Sequence, residues 1–316
     1  MEEKKGTEDF KKVLCSLISV VPLKFLRPLF LLSPLKFLRL LFPLLVLAGL
    51  CSGCQNGGLL ALEEKFILEQ RFTMPESAVI DEQGQWIYVS NVNGYAEDDN
   101  GFVSRVSIDG TRVDERWLEG LHSPTGLSIS GDTLFLADFN ALVEISLPDR
   151  RIVARYPAPH ANPGLNDVAI SAEGEVFVSA SGSRSIYRLD DDGLQTWLQD
   201  DYLLEGANGL FFWREQLIHA GLRWSVFDVA TRTRLEGVLE PRPGLADVDG
   251  ISADGCGGLF VTLINDARLW QVNPQGIARP LIEVDGIDLH YRAGLLAVPF
   301  VPNGLSLIQV NAAMCD

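Results

Sequence analysis

The feature that most constrains the fold is a motif that recurs about every forty residues along the chain. In each copy one residue, usually carrying a carboxylate or an amide, precedes a short apolar segment, mostly with a small residue between them. The six key residues are Glu76, Thr125, Asn166, Asn208, Asp249 and Asp288, spaced by 49, 41, 42, 41 and 39 positions. A period near forty is typical of β-propellers, whose repeats each form one blade. The six copies therefore predict an all-β chain folded as a six-bladed β-propeller.

The repeats also contain the strand and turn signals that a blade requires. In the second repeat, the apolar segment Gly126–Ile129 leads through a Gly-Asp turn to Leu134–Leu136, and a third alternating segment follows at Leu142–Ile145. Aliphatic, aromatic and β-branched residues bounded by Gly, Asp and Pro are typical of short strands. The last repeat stops after its third strand, whereas a strand-like segment, Lys65–Phe72, stands unassigned before the first. We expect this segment to complete the last blade and close the ring, because closure removes exposed sheet edges.

The N-terminal part of the chain is predicted to be a targeting segment rather than part of the folded domain. An apolar run, Leu40–Leu50, follows Lys36 and Arg39 and ends at Cys51-Ser52-Gly53-Cys54, a pattern that resembles a bacterial lipobox and export signal. Residues 1–53 are thus assigned to targeting, Cys54 to lipidation, 54–63 to a tether and 64–316 to the propeller. The expected location is the periplasmic side of the cell envelope, on a membrane. An uncleaved anchor and a non-functional upstream extension remain as alternatives.

Charge and cysteine content restrict the partners and the compartment. The chain has a net charge of −16; residues 1–53 hold eight Lys or Arg and four Asp or Glu, which leaves 18 − 38 = −20 for the remainder. A body this acidic repels phosphate backbones, so nucleic acid is excluded as a partner. Cys256 and Cys315 lie outside the targeting segment. In an oxidising compartment they either pair or stay as isolated thiols, and the sequence leaves both open.

Four of the key residues have the composition of a metal site. Glu76, Asn166, Asn208 and Asp249 would each begin an inner strand and converge on the propeller axis. Two carboxylates and two amide oxygens, without His or Cys, suit a hard divalent cation, and Ca²⁺ suits them best. The alternative is that these residues are turn formers at blade entrances. The variation among Glu, Asn and Asp favours the metal site.

The same residues carry a resemblance to a known family. Pro-Glu-Ser-Ala-Val around Glu76, Leu-Asn-Asp-Val around Asn166, Ala-Asn-Gly-Leu around Asn208 and Val-Asp-Gly-Ile around Asp249 resemble the senescence-marker-protein/gluconolactonase (regucalcin-like) propellers over about residues 64–311. The wider group of calcium-dependent phosphotriesterase-like propellers, including paraoxonases, shares that set. The resemblance implies a six-bladed propeller in which a metal, usually calcium, polarises a lactone carbonyl or phosphoryl oxygen.

Two departures from the family pattern bear on the substrate. Gly164 stands where sugar-lactonase members carry an arginine, and Thr125 stands where paraoxonase-like members carry a histidine. Neither the sugar-acid clamp nor the histidine dyad is therefore carried over. Strictosidine-synthase-like propellers share the architecture without a metal, and the Asn and Asp residues of this chain argue against that assignment.

These observations lead to a functional hypothesis with one rival. We expect metal-assisted hydrolysis of a small lactone or related ester, with Asp249 as both ligand and proton acceptor and Asp288 as a second candidate base or outer ligand. The loops between the second and third strands of each blade are expected to form a rim around the key residues. The candidate substrate contacts are Thr125 and, in these loops, Asn140, Arg223 and Trp224. Arg pairs carboxylates, and Trp offers an apolar face. The rival is a non-catalytic propeller that binds a ligand or protein and holds a structural metal.

Overall fold

The structure is a computed structural model that describes residues 61–311, and the side chains of 62–311. This part of the chain contains 24 strands and no helix, so it holds no helix long and apolar enough to cross a membrane. The predicted signal, the lipidation site at Cys54 and Cys315 lie outside the described residues. Cys256 is disulfide-bonded, and it is the one cysteine within 61–311.

The strands form six separate four-stranded antiparallel sheets, as predicted for a six-bladed propeller. Blades one to three comprise β2 Pro75–Ile80, β3 Trp86–Asn91, β4 Gly101–Ser107 and β5 Val113–Leu121; β6 Pro124–Ser130, β7 Thr133–Asp138, β8 Ala141–Ser146 and β9 Arg151–Pro157; β10 Leu165–Ile170, β11 Val176–Ala180, β12 Ser185–Asp190 and β13 Gly193–Gln199. Blades four to six comprise β14 Leu210–Trp213, β15 Gln216–His219, β16 Ser225–Asp228 and β17 Thr233–Arg234; β18 Val248–Ala253, β19 Leu259–Leu263, β20 Asp266–Val272 and β21 Ala278–Glu283; β22 His290–Arg292, β23 Leu295–Phe300, β24 Gly304–Asn311 and β1 Ala61–Leu68.

The ring is closed by the N-terminal strand, which confirms the predicted closure. Strand β1 pairs antiparallel with β24, from Ala61 opposite Asn311 to Leu68 opposite Leu305. The closing strand begins four residues earlier than the predicted segment 65–72, and so it takes in the last residues of the predicted tether. Gln70 has a φ of 59°, a left-handed conformation that a strand does not adopt, so the chain turns before Phe72. Phe72 is instead buried in the core.

The core lies between the blades rather than within any one of them. Each of the six apolar clusters joins two consecutive blades, and the one between blades six and one completes the circle with Val89 and Leu307. The inner strands β2, β6, β10, β14, β18 and β22 neighbour one another in that order around the axis. Burying one large aliphatic side chain contributes about 1.5–3 kcal/mol. Each blade is therefore stabilised mainly by its packing against the two neighbouring blades. This packing brings the first residues of all six inner strands to one axis.

A candidate metal centre on the propeller axis

The first residues of the inner strands depart from regular pairing. Register breaks span Pro75 to Ala78, Leu165 to Val168 and Val248 to Ile251. A hydroxyl on the neighbouring second strand accepts the backbone N–H released by each break. These bonds are Ser77 N to Ser90 Oγ at 2.9 Å, Asp167 N to Ser179 Oγ at 2.9 Å and Gly250 N to Thr262 Oγ1 at 3.0 Å. Irregularities of this kind re-aim side chains, and here they occur at the key residues.

The small residue that follows most key residues is required by the next blade. A Cβ on Gly209 would lie 2.6 Å from the carbonyl oxygen of Asp249, and one on Gly250 would lie 2.5 Å from Oδ1 of Asp288. These distances are shorter than any van der Waals contact, so a side chain at either position would push neighbouring inner strands apart. The Asn-Gly and Asp-Gly pairs thus allow close approach around the axis.

Four carboxylates meet near the axis on different blades. Glu76, Asp167 and Asp249 are each 8% exposed, and Asp288 lines the same axial channel as Asp167. Burial, followed by the charges of Asp249, Asp288 and Asp167, raises the pKa of Glu76 well above its usual range. Burial and the charge of Asp288 raise the pKa of Asp167 well above its usual range, and that of Asp249 to about 7. Burial raises the pKa of Asp288 to about 6.

Within residues 61–311 these carboxylates have no positive counter-charge. None of the four forms an ion pair with a Lys, Arg or His within residues 61–311, whereas the buried Asp138 pairs with Arg155 at 2.9 Å. Burying like charges together without a counter-ion is unfavourable, and the raised pKa values are its consequence. A cation supplied from outside the chain would offset this repulsion.

Hydrogen bonding divides the carboxylates into two kinds. Both oxygens of Asp167 accept backbone N–H groups, from Val168 at 2.7 Å and Leu210 at 2.7 Å. Asp288 accepts the N–H of Leu289 at 2.6 Å through Oδ1 and the hydroxyl of Ser77 through Oδ2. The protein therefore orients both groups, and each of their oxygens accepts one hydrogen bond and keeps a second lone pair.

The predicted ligands, in contrast, keep oxygens that no donor in the described part of the chain occupies. Asn208 donates from Nδ2 to Oδ1 of Asp249 at 2.7 Å, which leaves Asn208 Oδ1 and Asp249 Oδ2 available. Glu76 makes no hydrogen bond to a described residue. Asn166 is half-buried, and its side chain also makes none. Free oxygens in a buried anionic setting are what a hard cation binds.

The predicted ligand set has two carboxylates and two amides, a composition that suits calcium. No three His, Cys, Asp or Glu side chains between residues 61 and 311 group together as a metal site. The structure links Asn208 directly to Asp249, and Glu76 to Asp249 through their charges. No contact between described residues joins the side chain of Asn166 to the other three predicted ligands; its carbonyl oxygen accepts the hydroxyl of Thr125 at 2.7 Å. That hydroxyl thus bridges blades two and three.

Sequence reasoning missed one residue that lies within electrostatic range of the axial carboxylates. Tyr95 lies in the loop between β3 and β4 and is 67% exposed. Surrounding protein atoms desolvate its phenol, and the charges of Glu76 and Asp249 add to this, raising its pKa to about 12. The loops between second and third strands were predicted to form the rim above the key residues. The position of Tyr95 agrees with that prediction for blade one.

The predicted substrate contacts fall in different places. Asn140 lies in the β7–β8 rim loop and donates from Nδ2 to Glu97 Oε1 at 2.5 Å. Arg223 stacks on the ring of Tyr202, with its guanidinium 3.7 Å from the ring centroid. Trp224 is buried in the apolar cluster between blades four and five. Arg223 and Trp224 line a cavity of about 260 Å³ that shares no lining residue with the axial channel.

The axial channel continues below the acidic residues as a small cavity. Its volume is about 130 Å³, and inner-strand residues such as Ala78, Val168 and Ile251 line it. His290, which also lines it, accepts the N–H of Ile80 through Nδ1 at 3.1 Å, and burial followed by the charge of Arg292 lowers its pKa to about 4. The imidazole is therefore neutral and bound to backbone.

Asp167 is the member of the acidic group that the sequence did not single out. The prediction placed one key residue at the start of each inner strand, and in blade three it chose Asn166. Because the strand register breaks there, the adjacent Asp167 also turns inward and is buried. An aspartate directly before an apolar Val-Ala-Ile segment was the available signal.

Comparison with known proteins gives similarity in fold only. No protein-family model and no curated protein matches the sequence. A gluconolactonase from Xanthomonas campestris is 17% identical, with a TM-score of 0.63 over 82% of this chain and 93% of that one. A virginiamycin B lyase from Staphylococcus aureus is 10% identical, with a TM-score of 0.56 over 80% of this chain and 100% of that one. A luciferin-regenerating enzyme is 13% identical, with a TM-score of 0.57. The predicted likeness to gluconolactonase propellers is confirmed at the level of fold.

Proposed function

We propose that the chain is a divalent-cation-dependent hydrolase, with calcium as the best-fitting cation, that acts on a lactone or related ester. The observation that carries this proposal is the set of buried carboxylates that meet on the axis without a basic partner among the described residues. Buried ionisable groups with strongly raised pKa values in a cleft are typical of functional sites. The fold shared with a gluconolactonase adds support.

The residues that would hold the cation are Glu76, Asn166, Asn208 and Asp249. Each has a side-chain oxygen without a donor from the described residues. When bound, a divalent cation polarises a carbonyl or phosphoryl oxygen and lowers the pKa of a coordinated water. Asp167 and Asp288 would set the negative field around it while their own oxygens stay bound to the protein.

Asp249 is the best-placed proton acceptor of the chain. Its Oδ1 is held by Asn208, so its Oδ2 is oriented and free to take a proton from an attacking water. Burial and the charge of Asp288 raise the pKa of Asp249 to about 7 when no cation is bound, and a coordinated cation would lower it. Asp288 is the weaker candidate because both of its oxygens already accept hydrogen bonds.

The substrate is expected to lack the features of a sugar acid. Gly164, which replaces the arginine of sugar-lactonase members, has a φ of 57°, and a Cβ there would lie 3.1 Å from Gly182 N. The backbone itself therefore disfavours a long basic side chain at this position. The hydroxyl of Thr125 is likewise not free for a substrate, since it donates to the backbone of the neighbouring blade. A small, less polar lactone or ester fits this mouth best.

A non-catalytic binding propeller is the second candidate, and one observation favours it. Gly164 and Thr125 stand where the hydrolases that this chain resembles carry an arginine and a histidine, so neither of those side chains is available to orient a reacting group. In that case the cation would be structural, and the rim would bind a ligand or a protein. Both proposed functions require a bound cation, but only the hydrolase would turn over a substrate.

The test combines metal content with turnover. The purified protein is analysed for bound metal, then assayed on a panel of aliphatic lactones and aryl esters with and without a chelator. Asn208→Ala is expected to lose the metal and the activity, whereas Asn303→Ala, which removes a rim amide without a hydrogen-bond partner in the described chain, keeps the metal. Metal bound without turnover on any substrate would favour the binding propeller. Absence of stoichiometric metal would overturn the site itself.

The cellular location is a separate part of the proposal. We infer from the lipobox-like sequence that Cys54 is lipidated and that the propeller lies on the periplasmic side of a membrane. Membrane fractionation of cells expressing the chain with Cys54→Ser is the test. Release of the variant into the soluble periplasmic fraction supports lipidation. An unchanged membrane association would point to an uncleaved anchor.

A further inference from the structure

Three exposed apolar side chains lie in adjoining loops where blade six meets blade one. Met74 precedes β2, Tyr95 lies in the β3–β4 loop, and Val301 lies in the β23–β24 loop. They are 38%, 67% and 43% exposed, respectively. Exposed apolar side chains that occur singly need no explanation, whereas a group of them in adjoining loops indicates an interaction site.

Main-chain hydrogen bonds hold the three loops side by side. Met74 N donates to Pro302 O at 3.0 Å, and Val92 N donates to Met74 O at 3.1 Å. In a chain whose residues after 53 carry a net charge of −20 (18 − 38), this part of the rim is distinctive because it contains no Asp, Glu, Lys or Arg. We call it the apolar sector; it consists of residues 72–75, 92–96 and 301–304.

Tyr95 connects the apolar sector with the axial centre. Its loop is fixed by Ser123 of blade two, whose buried hydroxyl accepts the N–H of Ala96 at 2.9 Å. The charges of Glu76 and Asp249 reach the phenol, yet its hydroxyl makes no hydrogen bond to a residue that the structure describes. The ring is therefore held near the predicted ligands and is accessible to a substrate.

The occupant that fits the apolar sector best is the hydrocarbon part of a substrate whose carbonyl lies at the axial centre. Met74 stands two residues before Glu76, so the sector borders the predicted ligands. A stable protein partner needs about 20–30 residues on each side, far more than the sector offers. An anionic membrane surface would be repelled by the acidic protein. An alkyl chain of a few carbons is covered by three side chains and gains free energy on leaving water.

We propose that Met74, Tyr95 and Val301 are specificity-determining residues that bind an alkyl substituent of the lactone or ester hydrolysed at the axial centre. This inference rests on the proposed hydrolysis and specifies its substrate class. The preferred substrates are esters or lactones that carry an aliphatic chain in place of hydroxyl groups. Selectivity should therefore rise with the length of that chain.

The dependence on chain length is the first test. The ratio kcat/KM is measured with γ-valerolactone and γ-nonalactone, which share one ring and differ by four methylene groups. Contact along one side of the chain gives about half the effect of full burial, or about twofold per methylene. We expect γ-nonalactone to be favoured on the order of tenfold. Equal kcat/KM for the two lactones would overturn the proposal.

A binding assay separates this proposal from the hydrolysis on which it rests. The matching γ-lactams, one with a methyl and one with a pentyl substituent, keep the ring carbonyl but resist hydrolysis. Their binding to the protein in calcium is measured by calorimetry and by saturation-transfer NMR. A preference for the pentyl lactam without turnover of any lactone would refute the hydrolysis and support the apolar sector. Turnover without a chain-length preference in either assay would support the hydrolysis and refute the sector.

Two variants locate the alkyl chain, and each has a matched control. Val301→Thr exchanges a methyl group for a hydroxyl, and Tyr95→Ser removes the ring; each should lower the preference for the pentyl substituent about threefold. Val153→Thr and Tyr202→Ser make the same changes at side chains that are 47% and 61% exposed outside the sector, and they should leave the preference unchanged. Loss of folded protein affects both substrates equally, so it does not alter the ratio. An unchanged preference in both sector variants, or an equal loss in either control, would refute the assignment.

Other occupants of the apolar sector would give a different result. Co-sedimentation with phosphatidylcholine vesicles that Tyr95→Ser abolishes, without a chain-length preference, would assign the sector to a lipid surface. Concentration-dependent dimerisation that Tyr95→Ser abolishes would assign it to a second copy of the chain. Either result would refute the proposal.

Discussion

Replacing Asp249 by asparagine should stabilise the cation-free protein while removing its response to calcium. Asp249 is a buried carboxylate with no basic partner among the described residues, and its pKa is raised to about 7 by burial and by the charge of Asp288. Asparagine keeps the shape and the acceptor for Asn208, but it carries no charge. Removal of one of four mutually repelling carboxylates therefore favours the folded state, at the expense of the cation site.

The magnitude follows from the difference between the folded and unfolded pKa values. A folded pKa above the unfolded one means that the stability from this group is fully present below the unfolded pKa of 3.8 and is lost as pH rises through about 7. At 1.36 kcal/mol per unit, the ionised group lowers the free energy of unfolding by about 4 kcal/mol at high pH and about 2 kcal/mol near pH 5. For a domain of this size 1 kcal/mol corresponds to roughly 2–4 °C in Tm, so Asp249→Asn should gain of order 10 °C near pH 8 and only a few degrees near pH 5.

The assay is thermal unfolding at several pH values, with chelator or with calcium. At a calcium concentration about a hundredfold above Kd, the wild-type protein should gain about 2.7 kcal/mol, and Asp249→Asn should gain nothing. The calcium response of the wild-type protein should also grow with pH, because the cation competes with protons for the same carboxylates.

Asp138→Asn is the matched control for this reasoning. Asp138 is also buried, but it pairs with Arg155 at 2.9 Å and accepts two backbone N–H groups. Burial raises the pKa of Asp138 too, but Arg155 and the backbone N–H of Ser123 oppose that shift, so we expect a smaller change in Tm than at Asp249 and an unchanged calcium response. A destabilised Asp249→Asn in chelator near pH 8, or a variant that still responds to calcium, would refute the account of the axial charges.

Three further predictions concern the scaffold. Gly250→Ala should lower the free energy of unfolding by about 1–3 kcal/mol or more in chemical denaturation, because its Cβ would overlap the next inner strand, whereas Gly244→Ala, with open space around it, should be near neutral. Deleting Ala61–Leu68 should leave β24 as an open edge and produce aggregates in size-exclusion chromatography, and a monodisperse deletion variant would contradict the role of closure. His219 is buried with both ring nitrogens unpaired within the described residues, and burial lowers its pKa to about 3. Its stabilising contribution is thus present above its usual pKa of 6.5 and is lost as pH falls toward 3, by about 3 kcal/mol near pH 4; His219→Leu should remove that acid sensitivity in pH-dependent unfolding.

The features of the fold that could be predicted from the sequence depend on short-range patterns within each repeat. Each blade repeats strand and turn signals in the same order, so blade number and ring closure could be read before any coordinates. The polar residue at the start of each inner strand could also be recognised, because a buried Glu, Asn or Asp before an apolar strand has no role in packing. Glu76, Asn208 and Asp249 were identified in this way.

Other features depend on distances between repeats that no local pattern encodes. Asp167 joins the acidic group only because the register of β10 breaks beside it. Trp224 was expected at the substrate rim, yet the packing of blade four against blade five buries it beside a different cavity. Tyr95 lies in a loop whose sequence gives no sign that the charges of Glu76 and Asp249 reach it.

The sequence by itself therefore determined the architecture, the number of blades and which residue types begin the inner strands, because these depend on periodicity and on short-range turn and strand preferences. Only the tertiary structure decided which carboxylates keep free oxygens and which are bound by backbone N–H groups. It also decided that no basic side chain of the described residues lies beside them. Those properties arise from contacts between residues some forty or more positions apart, and closing the ring is what brings them together.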